Sequence, residues 1–306
     1  MTLERVDARV ATQTLVVFFE NSSIGELARD RIRRLASKHP SRVVILDAAQ
    51  SESMHRIEGS DWVELGVSGT PPEALRSAVD TLRVADTPVV LLWIAPGIGT
   101  DPRFEMLCDG VQTVVYNSSL LDLGHEALCE LVDYVARHPA IPITDIAYLR
   151  LAPWQECVAI FFDGKDVAEL AAVRRVEIGC GSDPEAFYLL GWLASRLGWT
   201  PSENDALVDR SGNRINFEIR REGDPRRIAR IAISSSRATF SAEIDKSEPT
   251  ILLSVTGPDR HATRYRAIND PGIAALVERA ILRGRKDKVF HDALAAAGEI
   301  LAKQRN

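Results

Sequence analysis

From residue 14 to residue 116 short apolar runs alternate with longer stretches of helical periodicity, a pattern that favours a mostly parallel sheet flanked by helices. Strands are expected at 14–19, 42–46, 61–67, 88–94 and 111–116, with 61–67 at the edge. Helices are expected from the Asn21, Ser22, Ser23 caps to about 38, from the Pro71, Pro72 pair to near 84, and over 102–108 and 123–137. The sequence Ile141, Pro142, Ile143, Thr144 marks a boundary. Beyond it Leu151, Trp154, Val158 and Phe161 recur at helical spacing, with Pro153 in the first turn, and this helix is expected to bridge two halves. A strand at 173–178, a glycine-rich turn at 179–183 and a helix at 184–197 follow. Alternating runs at 215–219, 228–234, 239–244, 251–255 and 263–267 predict an antiparallel meander, closed by helices at 272–282 and 286–303. The expected organisation is a Rossmann-like α/β domain over 1–140 and an α+β domain with an antiparallel sheet over 141–306.

The helix at 184–197 carries more apolar surface than one core needs. Leu190, Leu193 and Leu197 form one stripe, and Tyr188, Trp192, Ser195 and Trp199 form the other. Positions 190 and 192 lie about 200° apart on a helix, so a single core does not cover both. The aromatic stripe is expected to be covered by the other domain or by another protein.

The chain has 306 residues, 45% of them hydrophobic, and a net charge of -6, which excludes the basic footprint of a general nucleic-acid binder. Residues 1–10 carry Glu4, Arg5, Asp7 and Arg9, so they lack the continuous apolar core of a signal peptide. No run reaches about 18 apolar residues, and a cytoplasmic protein without a membrane partner is expected. Cys108, Cys129, Cys157 and Cys180 form no Cys-x-x-Cys pair and read as small buried hydrophobes. The six histidines lack helical metal-site spacing, so no metal is expected.

Candidate chemistry is sparse. The turn after the first strand, Glu20, Asn21, Ser22, Ser23, Ile24, Gly25, is not a dinucleotide fingerprint, and no phosphate-binding loop occurs, so no cofactor is expected. Gly179 to Asp183 opens a helix that could hold an anion, but Asp183 before Pro184 reads better as an N-cap. Arg220, Arg221, Arg226, Arg227 and Arg230 could converge on a phosphate or acidic partner, or simply protect strand edges. Glu156, Asp163 and the serines at 234–236 have no matching base or nucleophile. No catalytic set emerges.

Several segments together resemble the glucose-6-phosphate dehydrogenase assembly protein OpcA family. They are His39, Pro40, Ser41, Arg42; Asp86 to Trp93; the junction Arg150, Leu151, Ala152, Pro153, Trp154, Gln155, Glu156; the double-tryptophan segment Gly191 to Trp199; and Arg285, Lys286, Asp287 leading into Phe290 to Leu294. Tyr148 departs from the pattern, standing where a tryptophan precedes the Arg150, Leu151 pair. The resemblance implies a non-enzymatic, cytoplasmic partner that assembles or allosterically activates glucose-6-phosphate dehydrogenase at the entry of the oxidative pentose phosphate pathway. Thiol redox control is linked to cyanobacterial members, but no cysteine here maps onto it. Hot-spot chemistry makes Arg150, Trp154, Tyr188, Trp192 and Trp199 the candidate partner-binding residues. The alternative is a nucleotide- or sugar-phosphate-binding protein or enzyme using the crevice of the first domain.

Overall fold

The computed structural model describes residues 11–56, 61–120, 125–203, 206–224, 227–245, 247, 250–268, 271–283 and 287–304. They fall into two compact units that interleave along the chain. One comprises Met1–Asn117, Tyr134–Thr144 and Gly272–Arg285, the other Ser118–Asp133, Asp145–Pro271 and Lys286–Asn306. The sequence boundary at 140 does not anticipate this interleaving.

In chain order the elements begin with β1 (Gln13–Phe19), α1 (Ser22–Lys38), β2 (Ser41–Asp47), β3 (Ser53–Arg56), β4 (Trp62–Gly66), α2 (Pro72–Leu82), β5 (Val89–Ile94), α3 (Pro102–Cys108) and β6 (Thr113–Tyr116). A 3-10 turn at Ser118–Leu120 leads to α4 (His125–Arg137), β7 (Ile143–Asp145), α5 (Ile146–Leu149) and α6 (Ala152–Phe161). A 3-10 segment, Gly164–Ala172, precedes β8 (Val173–Cys180), α7 (Asp183–Leu197), β9 (Thr200–Ser202), β10 (Ala206–Val208), β11 (Arg214–Arg221), β12 (Ile228–Ser235), β13 (Thr239–Ile244), β14 (Thr250–Gly257) and β15 (Arg260–Ala267). Helices α8 (Ile273–Arg283) and α9 (Lys288–Gln304) follow.

The first sheet has the order β3-β4-β2-β1-β5-β6-β7, parallel from β4 through β6. Its central strand β1 is buried at every position, as its unbroken apolar run requires. Phe18 stacks on Trp93, and Trp93, Phe104 and Tyr134 follow edge to face, with ring centroids 4.2 to 5.0 Å apart. One expectation is corrected: β4 is not at the edge, because β3 pairs antiparallel with it. Helix α8 packs on α1 in this unit, where His39 Nε2 lies 2.8 Å from Glu278 Oε1.

The second sheet has the order β15-β14-β13-β12-β8-β11-β10-β9. It is antiparallel except for β8 and β11, which run parallel because the intervening chain passes through α7. Alternation buries Val176, Ile178, Ile231, Ile233, Phe240 and Leu253 on one face. Phe161 and Phe162 cover Phe240 there, with ring centroids 5.8 and 4.7 Å away. The other face carries an ion-pair ladder of Arg175, Glu177, Glu218 and Arg220. Helix α6 lies wholly within this second unit rather than bridging two halves.

The aromatic stripe of α7 has a different cover from the one expected. Helix α9 of the same unit packs along α7, and a Cβ added at Gly191 would stand 2.3 Å from the Ala293 carbonyl oxygen. Only a glycine admits so close a backbone approach. Tyr188 is consequently fully buried, its ring 5.6 Å from Tyr148 of α5 and 5.9 Å from Phe290 of α9. Gly198 ends α7 in the left-handed conformation at φ 70°, turning the chain so that Trp199 is also buried. No helix among the described residues is long and apolar enough to cross a membrane.

Candidate functional site

The most unusual chemistry of the second unit is a buried polar cluster at the start of α5 and α7. Asp145 ends β7 and caps α5, its Oδ1 accepting from the Ala147 amide at 2.9 Å and the Ser118 amide at 3.2 Å. Its Oδ2 accepts from the Tyr188 hydroxyl at 3.0 Å. Burial raises the Asp145 carboxyl above its ordinary range, and these donors oppose the rise.

Arg150 closes α5. Its Nη1 donates to Ser119 Oγ at 2.6 Å and to Glu185 Oε1 at 3.0 Å. Glu185, in the first turn of α7, is 1% exposed. Burial pushes its carboxyl up to about 7, Arg150 pulls it back, and Asp145 adds to the rise. Beside this pair lies a cavity of about 40 Å3, walled by Arg150, Pro153, Trp154, Glu185, Arg227 and Ile228. Metabolite sites occupy about 300–1,000 Å3, whereas a water needs only about 10–15 Å3. The cluster can hold a proton and a few waters. It leaves no room for a sugar phosphate.

The junction motif therefore supplies three of these walls, Arg150, Pro153 and Trp154. Of the five candidate contact residues, Trp154 and Trp199 are each 6% exposed and Tyr188 is fully buried, while Arg150 is committed to Glu185. Trp192 is half-buried on α7. Glu185, Asp145 and Ser119 were not singled out by sequence reasoning. Glu185 had a visible signal: it is a lone charge leading the otherwise apolar run 186–191.

The other charged motifs resolve into local pairs. Ser182, not Asp183, occupies the N-cap of α7, because the Asp183 carboxylate turns to Arg221 at 2.6 Å and lies 4.0 Å from His125. Arg220 pairs with Glu177 and Glu218, and Arg230 approaches Glu243. Arg226 lies outside the described residues, as do Arg285 and Lys286 of the family segments. Glu156 pairs with Arg266. All four cysteines are free thiols, and burial pushes Cys108 up to about 12 and both Cys157 and Cys180 up to about 11. Among the described residues no group of three or more potential ligands is placed to hold a metal.

In the first unit, a sheet of this kind takes a dinucleotide at the turn from β1 into α1 and at the end of β2. Here Asn21 Oδ1 accepts from the Ser23 and Ile24 amides at 2.9 and 3.2 Å, so the helix donors serve their own cap. Asp47, at the end of β2, is 1% exposed and held by Arg29 at 2.7 Å. Gly25 serves packing, since a Cβ there would stand 2.4 Å from the Phe19 ring. Across the crevice Arg103 binds Asp101 and Glu20 and lies 4.9 Å above Phe18. These residues do not fit a dinucleotide, because the groups that would hold it are engaged with one another.

The fold is similar to that of a 3-ketoreductase from Actinomadura kijaniata solved with NADP and TDP-benzene, at TM-score 0.57 and 13% identity over 96% of this chain and 97% of that one. It is also similar to an aldose-aldose oxidoreductase from Caulobacter crescentus, at TM-score 0.54 and 15% identity over 96% of each chain. At such identities the likeness is one of fold alone. In sequence, the chain is 30% identical over 175 residues to a protein of Nostoc punctiforme named as OxPP cycle protein OpcA, covering 55% of this chain and 37% of that protein. It is 28% identical over 145 residues to the protein of the same name from Synechocystis sp., covering 46% and 30%. The chain thus spans about a third of the length of the relatives it matches. Residues 141–294, just over half of the chain, match the family model for the C-terminal domain of the OpcA glucose-6-phosphate dehydrogenase subunit, and on that match the chain belongs to the OpcA family.

Proposed function

We propose that the chain is a non-catalytic, cytoplasmic effector that binds glucose-6-phosphate dehydrogenase and promotes its assembly or allosteric activation in the oxidative pentose phosphate pathway. The observation that carries this reading is the match of residues 141–294 to a domain described as belonging to a subunit of that dehydrogenase. Two features of the molecule support it. The buried Arg150–Glu185 pair borders a cavity too small for a metabolite, and at the nucleotide crevice of the first unit Asn21 caps α1 while Asp47 is held by Arg29. The second weighs against the alternative of a small-molecule enzyme that uses the crevice of the first unit. The contact is proposed at Trp192, which is half-buried, while Trp154, Tyr188 and Trp199 are buried and Arg150 is paired with Glu185, so these four act through the packing of the unit.

An effector shifts an enzyme only by binding its active state more tightly, with typical couplings of about 1–3 kcal/mol, or about 5–150-fold in affinity. The test is dehydrogenase kinetics and size-exclusion chromatography with and without the chain. Co-elution and a lowered apparent KM are expected, and Trp192→Ala is expected to abolish both while melting at the parent temperature. A mixture that neither co-elutes nor changes the kinetics overturns the proposal. Saturable calorimetric binding of a nucleotide or sugar phosphate to the first unit revives the alternative.

A further inference from the structure

We propose that the cavity beside the Arg150–Glu185 pair is a socket for a single carboxylate group, which enters together with a proton. The inference holds whether or not the partner is the dehydrogenase.

Hydrogen bonding around the pair is incomplete. Arg150 makes both of its side-chain bonds, to Ser119 and to Glu185, through Nη1, so its Nε and Nη2 donors have no partner among the described residues. Glu185 accepts through Oε1 alone, and among the described residues its Oε2 has no partner either. Yet the Arg150 side chain is only 13% exposed and that of Glu185 only 2%. Both residues wall the cavity, together with Trp154, Arg227 and Ile228. Buried donors and acceptors are normally met by water or by a ligand.

Charge favours a ligand over water alone and gives its sign. The groups that act on Glu185 are Arg150, Asp145 and Arg227, with Cys180 beside it at the end of β8 and Asp183, held by Arg221, on its own helix. Burial pushes the Glu185 carboxyl up to about 7, so below that pH Arg150 faces a neutral acid. A mostly buried guanidinium then has no counter-ion in contact, which is a costly state. A carboxylate in the cavity supplies one, accepting from Arg150 on one side and from protonated Glu185 on the other. Ionised Glu185 repels the same group, so carboxylate and proton bind cooperatively. A cation entering the cavity meets two arginines and is repelled. Size agrees with this assignment. At about 10–15 Å3 for a water-sized atom, a cavity of about 40 Å3 holds about three heavy atoms, the carbon and two oxygens of one carboxylate.

The probe is carbon-13-labelled sodium formate, titrated into the full chain and followed by NMR line broadening. Saturable binding is expected at pH 6, weakening about tenfold per unit above pH 7, as uptake of one proton requires. Sodium chloride and methylammonium chloride at the same ionic strength are expected not to compete. Glu185→Gln, whose amide donates without a titrating proton, should bind formate almost equally at pH 6 and pH 8. Arg227→Gln, at an exposed position, should weaken binding about threefold without moving the thermal transition. Displacement of formate by the blocked tripeptide acetyl-Gly-Glu-Gly-amide assigns the socket to an acidic side chain of a partner, and formate binding that the tripeptide leaves intact assigns it to a free one-carbon acid. The proposal is overturned by an absence of saturable binding, by equal competition from chloride, by an affinity in the parent that does not fall between pH 6 and pH 8, or by a pH dependence that Glu185→Gln retains.

Discussion

A single methyl group added at Gly191 probes the helix pair on which the double-tryptophan segment rests. In Gly191→Ala the new Cβ stands 2.3 Å from the Ala293 carbonyl oxygen, 2.8 Å from the Ala297 amide nitrogen and 3.0 Å from the Ala297 Cβ. A comfortable contact is about 3.5 Å, so α7 and α9 must separate by about 1 Å. The obstructing atoms are mostly helix backbone, which has no rotamer to change. Overpacking of this kind costs about 1–3 kcal/mol, and the loosened contact also disturbs the Tyr188–Phe290 packing. The better helix propensity of alanine returns about 1 kcal/mol. A net loss of about 1 kcal/mol lowers Tm by about 2–4 °C for a unit of this size. The assay is thermal unfolding followed by circular dichroism, with Ser195→Ala as the control on the same helix. Ser195 is half-buried and its hydroxyl only bonds back to the Trp192 carbonyl, so the control is expected to melt like the parent. If Gly191→Ala melts at or above the parent temperature, the backbone contact between α7 and α9 is not what the glycine serves.

Other predictions follow from the buried cluster. Tyr188→Phe removes the donor to Asp145 and costs about 1–3 kcal/mol. Because that donor favours the ionised carboxylate, the loss in urea denaturation should be larger at pH 8 than at pH 5, and equal losses would count against the assignment. Glu185 has its folded carboxyl raised from 4.5 to about 7, so the folded state holds the proton more tightly. Its contribution is full below about 4.5 and is lost as pH rises through 7, on the order of 3 kcal/mol in all. Asp145 acts in the same sense, and Glu185→Gln should flatten this part of the stability profile. A profile with the same slope in parent and variant would refute the coupling. In native chain at pH 8, a thiol reagent should modify Cys129 first, with Cys108, Cys157 and Cys180 reacting only on unfolding. Rapid labelling of three or more thiols would contradict their burial.

Strands that bury one or both faces were legible because their period is carried by consecutive residues. The unbroken apolar run of β5 and the alternation of β13 are examples, and α3 was bounded by Asp101, Pro102 and the following turn. What escaped was short or decided at a distance. Strands β3, β9 and β10 span three or four residues, too few for a period. The parallel pairing of β8 with β11 depends on the path through α7, which no local pattern encodes. The same limit explains the aromatic stripe. Tyr188 looks surplus until Phe290 arrives from about a hundred residues later, and the glycine at 191 that permits this approach has no signature of its own. Arg150 and Trp154 were legible as a motif, whereas Glu185 showed in the sequence only as a lone charge before an apolar run, and its pairing with Arg150 is decided by the fold.

The interleaving of the two units bears on the order in which the chain can be assembled as it is made. It passes from one unit to the other after residues 117, 133, 144 and 271, and again after 285. Helix α1 is therefore translated long before the helix that packs on it, and His39 waits 239 residues for Glu278. The first unit stays incomplete until nearly the whole second unit has left the ribosome, so the units do not mature one after the other as independent beads. Closing so long a loop is an entropic cost that falls on the last steps of folding. A fragment cut at residue 140 would carry α1 with its α8 face uncovered.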